Sequence, residues 1–242
     1  MLGATTFFVT SAIALPLPSG FIALNSTDGF NLLHDPRTLS APFQQAIIHF
    51  VSQQDGGSCF RASASIILNA LSMHGVEAPL DMGKWIDVPY WNQDNVVNST
   101  CARSNCTDVY CRGAPLPAAS KALACPDGVS VRPIHAGQHG LNSSQQLSAI
   151  LFHTLGAPGG RQHIIANFFG PPMGLNHHGH YSPVVAYNDE RDMALVLDVS
   201  RYKYPPWWVP TQVLFKGLDT VDPSTMQRRG MLVVQAAMVA AV

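Results

Sequence analysis

Cys59 begins a helix-patterned segment and is followed far along the chain by His180 and then Asp198. A thiol attacks a carbonyl carbon as thiolate. A helix N-terminus lowers its pKa, and a histidine oriented by a carboxylate can take its proton. The order cysteine, histidine, acid therefore points to acyl chemistry. Cys59 would attack an amide carbonyl, His180 would take the thiol proton and pass it to the leaving amine, and Asp198 would fix the imidazole tautomer. Gln53, six residues before Cys59, suits an oxyanion donor beside the Cys59 backbone N–H. Taken singly, each residue also has a plainer role: a small buried hydrophobe, a strand-end cap, a surface amide.

The elements that must position these groups are legible from periodicity. From Cys59 through His74, Ala62, Ile66, Ile67, Ala70 and Leu71 recur at helical spacing, and Gly75 follows as a stop. A second helix is expected over Ser144 to Thr154, before Gly156. Ile164 to Phe169, Tyr181 to Tyr187, Ala194 to Val199 and Gly230 to Ala236 are short runs rich in β-branched and aromatic residues, and read as antiparallel strands. The fold class is α+β, with a helical front half packed on a β-rich back half and a cleft between them. Asn188-Asp189-Glu190 reads as a hairpin loop, so Tyr187 would pair with Arg191 and His180 with Asp198. A slip of one residue would turn one of the two to the other face.

With 242 residues, 47% of them hydrophobic, 12% charged and a net charge of -1, the chain can bury one core and carries no footprint for nucleic acid or an anionic membrane. A small-molecule substrate is expected. Residues 1–14 read as a leader ending in Ala12-Ile13-Ala14 or as a first buried strand; the segment is too short to span a bilayer. Residues 15–242 read as one catalytic domain. Sequons at Asn25, Asn98, Asn105 and Asn142 lean toward the secretory pathway, vacuolar or extracellular, with the cytoplasm as the other reading. Cys101, Cys106, Cys111 and Cys125 crowd an insertion at about 98–128, and their spacing is unlike that of zinc sites. Two disulfides fit best, in any of three connectivities, leaving Cys59 as the odd thiol.

The residues around the three reactive groups resemble a known family. Gln53, Cys59 and Asn69-Ala70-Leu71 are similar to the nucleophile segment of phytochelatin synthases. Gly179-His180-Tyr181-Ser182-Pro183 and Asp198-Val199-Ser200-Arg201-Tyr202-Lys203-Tyr204-Pro205-Pro206 are similar to their histidine and aspartate motifs. Leu15-Pro16-Leu17 and Gln93-Asp94-Asn95 match as well, so the resemblance runs from about residue 15 to Val234. It implies a papain-like γ-glutamylcysteine dipeptidyltransferase, which releases glycine from glutathione through a Cys59 thioester and passes γ-Glu-Cys to glutathione or water. Such a head group needs one acid for its α-amine and one guanidinium for its α-carboxylate. Asp222 and Arg229 stand at the spacing of the family's γ-glutamyl-binding segment.

Three departures matter. Phe60 and Arg61 follow the nucleophile where the family usually has glycine, bringing a bulky ring to the acyl pocket and a cation that favours the thiolate. Gly170-Pro171-Pro172 stands where a basic residue is common, which argues against a strong second-glutathione site. The Cys-rich C-terminal domain of plant-type members has no counterpart here, so hydrolysis is expected to compete with peptide synthesis. His177, His178 and His180 invite a metal reading, but ligation would occupy the base that Cys59 needs. The site is therefore expected to hold no metal and no tightly bound cofactor, with Cd²⁺ or Zn²⁺ arriving as a metal-glutathione thiolate. A homodimer is left open. A catalytically weak thiol or metal-thiolate binding protein on the same fold is the alternative, and a general papain-like protease a more distant one.

Overall fold

The computed structural model describes residues 15–80, 88–105, 112–138 and 140–237. The leader candidate at 1–14, together with Cys106 and Cys111, lies outside the described residues. In chain order the elements are β1 (Ile22–Ala23), α1 (Thr27–Leu33), β2 (Thr38–Leu39), α2 (Phe43–Ile47), α3 (Cys59–Ser72), α4 (Thr100–Asn105), α5 (Leu116–Leu123) and β3 (Val129–His135). These are followed by α6 (Ser144–Leu155), β4 (Gln162–Phe169), β5 (Gly179–Asn188), β6 (Met193–Val196), β7 (Trp207–Pro210), α7 (Thr211–Leu218), β8 (Val221–Asp222), β9 (Gln227–Arg228) and β10 (Gly230–Ala236).

Seven strands form one antiparallel sheet in the order β1-β7-β6-β5-β4-β10-β3, with β2 added on β5, while β8 and β9 form a separate hairpin. Alternation along the central strands divides their apolar residues between two cores. Ile165, Leu232 and Val234 pack with α3 and α5, whereas Ile164, Ala166, Met231 and Val233 pack with α6 and α7. A sheet covered on both faces needs apolar residues at successive positions, which is why β4, β5 and β10 read as continuous runs. The α+β class holds, and the sheet carries helices on both faces, with α3 and α5 on one and α6 and α7 on the other. Gly230 is required at the start of β10, since a Cβ there would lie 1.9 Å from the Ile134 carbonyl oxygen.

The helix expected over 59–74 spans Cys59–Ser72 and is buried all round rather than on one stripe. Two of its polar residues, Asn69 and Arg61, are satisfied by the segment that covers them. Asn69 Nδ2 donates to Trp91 O (2.7 Å) and its Oδ1 accepts from Trp91 N (2.9 Å), while Arg61 donates to Gln93 O and pairs with Asp94. Gln93 also ties down the chain before Cys59: its Oε1 accepts from Gln54 N (2.9 Å) and its Nε2 donates to Ser52 O (2.9 Å). In the insertion, Cys101 is bonded to Cys125, which lies just after α5.

One core imidazole has a consequence for stability. His163 on β4 is 1% exposed and neither ring nitrogen has a partner, so burial pushes its pKa down to about 3. Between about pH 3 and 6.5 the unfolded chain therefore binds a proton that the native chain refuses, and stability is lost on acidification through that window. The loss from this one group is on the order of 4 kcal/mol by pH 3. His163→Leu is expected to flatten the dependence of urea-unfolding free energy on pH between 6.5 and 4; an unchanged slope would assign acid sensitivity to other groups.

Candidate active site

Cys59 is the first residue of α3 and is buried, 4% exposed. Its loop is anchored by Gln53 N, which donates to Val199 O (2.8 Å), and by Asp55, whose Oδ1 accepts from Gly57 N (2.8 Å) and Arg112 Nη2 (2.9 Å). Burial pushes the Cys59 thiol up to about 11, against the opposing pull of the backbone N–H groups of Tyr181, Phe60 and Cys59. The resting group is therefore a thiol, and a base must take its proton. Arg61 does not assist: its guanidinium is committed to Gln93 and Asp94. Phe60 does not line the cavity at Cys59. It packs edge-on against Tyr181, with ring centroids 5.5 Å apart.

The base and its acid are paired. His180 Nε2 lies 3.0 Å from Asp198 Oδ1. A carboxylate only accepts, so Nε2 carries the proton and Nδ1 keeps the lone pair that a general base requires. Among the described residues no hydrogen bond joins His180 to the thiol. Burial lowers the His180 pKa, while Asp198 partly offsets that shift. Asp198 is fully buried and also accepts from His177 Nε2 (2.8 Å), Trp207 Nε1 (3.0 Å) and Ser200 N (2.9 Å). Burial opposes its ionisation, but the two imidazoles outweigh that cost and hold the carboxyl well below the usual range.

The hairpin reaches this geometry by a different register from the one expected. Asn188 pairs with Met193 and Tyr187 with Ala194, so the loop is Asp189 to Asp192. Asp192 is held in the turn, at φ 49°, because its carboxylate accepts from Ser148 Oγ (2.6 Å), Tyr187 OH (2.9 Å) and Thr211 Oγ1. That longer loop would put His180 and Asp198 on opposite faces. A bulge between Val184 and Ala186 shifts the register by one, so Val184 pairs with Val196 and Leu197 N donates to Pro183 O (2.9 Å). Continuing that register sets Ser182 opposite Asp198, with His180 as a diagonal neighbour on the same face.

A cavity of about 220 Å³ opens at Cys59 and is lined by Asn167, Gly179, Tyr181, Asp222 and Arg229, among others. Arg229 Nη1 donates to Asp222 Oδ2 (2.9 Å), and both residues are buried. Ser224 fixes the other Asp222 oxygen through its backbone N–H (3.0 Å) and hydroxyl (2.7 Å). Arg229 lies against Gly179, where a Cβ would come within 3.0 Å of Nη1. Arg229 Nε and Asn167 Oδ1 are buried and have no partner, which leaves one donor and one acceptor for a ligand. Gly113 and Ala114 of the insertion form another wall, and Tyr181 OH donates to Ala114 O (2.9 Å).

Gln53 stands apart from this cavity. Its Nε2 donates to Asp55 O (2.6 Å) and Tyr202 OH (3.1 Å), and its Oε1 accepts from Ser200 Oγ (3.0 Å), so both amide hydrogens are engaged as folded. The Asp55 carbonyl fixes the amide's orientation, since it needs a donor. Reading residues alone missed the Asp198 partners His177 and Trp207, and it missed Asn167. His177 was visible only as one of three close histidines, and Asn167 is an unremarked polar residue within an apolar strand.

The model of the family described as phytochelatin synthase matches residues 12–231. The chain is 30% identical over 225 residues to glutathione gamma-glutamylcysteinyltransferase 1 of Arabidopsis thaliana, covering 91% of this chain and 43% of that protein. It is also 30% identical over 198 residues to glutathione gamma-glutamylcysteinyltransferase 1 of Triticum aestivum, covering 79% and 35%. The chain thus spans less than half the length of these relatives. Among solved structures, xylellain, a cysteine protease from Xylella fastidiosa, aligns over 98% of this chain and 100% of its own, with 12% identity and a TM-score of 0.39. The family match covers the segments that carry Cys59, His180 and Asp198 and extends to Arg229, and the chain belongs to the phytochelatin synthase family.

Proposed function

We propose that this chain is a cysteine-dependent γ-glutamylcysteine dipeptidyltransferase acting on glutathione. The observation that carries the reading is the cavity that has Cys59 among its walls and is also lined by the buried Asp222–Arg229 pair, with Arg229 Nε unpartnered. Asp222 would take the substrate α-amine and Arg229 its α-carboxylate. The Cys–Gly amide would then lie toward Cys59. His180 Nδ1 takes the thiol proton as sulfur bonds to the carbonyl carbon, and delivers that proton to the glycine amine as the C–N bond breaks. Water or a second glutathione amine then attacks the γ-Glu-Cys thioester, and His180 again takes the proton. Backbone N–H groups at Cys59 suit the oxyanion; Gln53 joins them only by releasing Tyr202 or Asp55.

Two features bear on the fate of the thioester and on metal. Gly170-Pro171-Pro172 supplies no cation for a second glutathione, so free γ-Glu-Cys should exceed longer polymers at low glutathione. Cd²⁺ or Zn²⁺ enters this scheme as substrate, bound to glutathione thiolates, and should raise the polymer fraction modestly. The neutral Cys59 thiol, pushed up to about 11, favours a second reading, a thiol-binding protein of low turnover.

Incubation with glutathione separates the two. Glycine release is expected from the intact chain and should vanish in Cys59→Ala and His180→Ala, with the double variant little worse than either single one. Stoichiometric binding without glycine would establish the second reading. Arg229→Lys is expected to lower kcat/KM for glutathione about tenfold or more, because a point cation cannot reproduce the planar fork. A kcat/KM unaltered from that of the parent chain in both Arg229→Lys and Asp222→Asn would remove both from the substrate site.

The pH dependence follows from the cited shifts. Activation of Cys59 needs neutral His180, whose pKa lies below 6.5, so the rate of Cys59 alkylation by iodoacetamide should rise with pH through a midpoint below 6.5. Asp198 raises the His180 pKa, so Asp198→Asn should slow alkylation and move that midpoint lower still. A midpoint moving upward would contradict the assigned pairing.

A further inference from the structure

The acyl-transfer scheme uses His180 and Asp198 but leaves His177 without a role. His177 is 4% exposed, and its ring stacks on that of His180 with centroids 4.1 Å apart and planes 5° from parallel. Both rings turn an Nε2 edge to the same carboxylate: His177 donates to Asp198 Oδ2 (2.8 Å) and His180 to Oδ1 (3.0 Å). The segment before β5 is built to hold His177 there. Asn176 N donates to Tyr204 OH (2.9 Å), Lys203 Nζ to Asn176 O (2.7 Å) and Gly170 N to His177 O (3.2 Å). Position 170 has to be glycine, since a Cβ there would lie 2.6 Å from the His177 carbonyl oxygen and 2.8 Å from its Cβ. Tyr204 and Phe168 close round the His177 ring, with centroids 5.3 and 6.2 Å away.

We propose that His177 is a positioning residue of the acyl-transfer site, a second imidazole donor that locks Asp198 in the orientation His180 needs and takes a share of its negative charge. The other donors to Asp198, Ser200 N at Oδ1 and Trp207 Nε1 at Oδ2, leave one place at each oxygen for an imidazole. With His177 in one place, the carboxylate is pinned across both ring edges, and His180 meets Oδ1 with Nε2 protonated and Nδ1 bare. The His177 N–H also draws off charge that would favour a proton on His180, and a proton on either ring opposes one on its stacked neighbour. Burial lowers the His180 pKa most, Asp198 raises it, and His177 and Lys203 lower it. The remaining titratable or charged groups around the pair are Cys59 of α3, the exposed His178 and Arg229, which lies against Gly179; β4 and β7 bring the uncharged Phe168 and Trp207. His180 is thereby free of its proton at a lower pH than Asp198 alone would allow. The proposal rests on the acyl-transfer reading only in taking His180 as the base.

The test follows both rings by NMR titration of the full chain labelled at histidine, each signal identified by its loss in the matching His→Gln variant. In the parent chain both rings are expected as the Nε2–H tautomer, and a His177 ring with its proton on Nδ1 would overturn the proposal. His177→Phe keeps an apolar ring on the stack but removes the donor, so the His180 midpoint should rise by about one pH unit. His177→Gln, whose amide N–H can still reach Oδ2, should bring most of that rise back. Iodoacetamide alkylation of Cys59 should follow, with a midpoint that moves up in His177→Phe and returns in His177→Gln. A His180 midpoint unmoved in His177→Phe, or moved equally in both variants, would show that His177 merely fills space and would overturn the proposal. Neither readout uses glutathione. Absent glycine release with both midpoints moving as expected would therefore count against glutathione as substrate and support the role of His177.

Discussion

A carboxylate with no water around it can stay ionised only if fixed dipoles or charges replace its hydration, and Asp198 imposes that requirement on its surroundings. Two imidazoles, an indole N–H and a backbone N–H supply four donors, two to each oxygen. Meeting this demand fixes where β5 begins, where β7 lies and how the chain leaves β6. It also selects the His180 tautomer, because an acceptor-only partner holds the proton at Nε2 and leaves Nδ1 bare. The same carboxylate reaches the nucleophile's loop: Ser200, whose backbone N–H binds Asp198, donates its hydroxyl to Gln53, and Gln53 N is bonded to Val199 O. In this structure Gln53 acts as a strut between the acid and the loop of Cys59.

The substrate end of the cavity is built by a different logic. Asp222 and Arg229 are seven residues apart: Asp222 ends β8 where the β8–β9 turn begins, and Arg229 stands between β9 and β10. Local chain geometry alone brings them together. What makes them a binding site is the environment supplied by other elements. Gly179 allows the guanidinium to lie against β5, and Ser224 occupies one face of the carboxylate. Asn167 contributes an unused acceptor. An exposed pair of the same type would contribute little to stability, and here burial concentrates its effect on whatever fills the cavity.

Legibility in the sequence followed the range of the interaction. The α3 helix, the α6 helix and the main strands were readable because apolar periodicity is local, and their ends differ from expectation by a few residues at most. Family motifs pointed to Cys59, His180 and Asp198, and the structure brings the last two into contact. The route was not readable. A four-residue loop held by Asp192 and a compensating bulge at Val185 depend on Ser148 and Thr211, which lie far away in sequence. Helix α7 was missed because Thr211 to Leu218 is short and follows directly on a strand. Arg61 and Phe60 were misjudged for a related reason. Sequence adjacency suggested an influence on the thiol, whereas packing sends one to Asp94 and the other to Tyr181.

Burial of both the nucleophile and its base sets how the site is switched on. A thiol pushed up to about 11 beside an imidazole whose pKa is lowered rests as a neutral pair rather than as an ion pair. Charge separation in such a buried pair is unfavourable by itself. It becomes favourable when the developing negative charge moves from sulfur to a carbonyl oxygen that backbone N–H groups can reach, while Asp198 stabilises the positive imidazole.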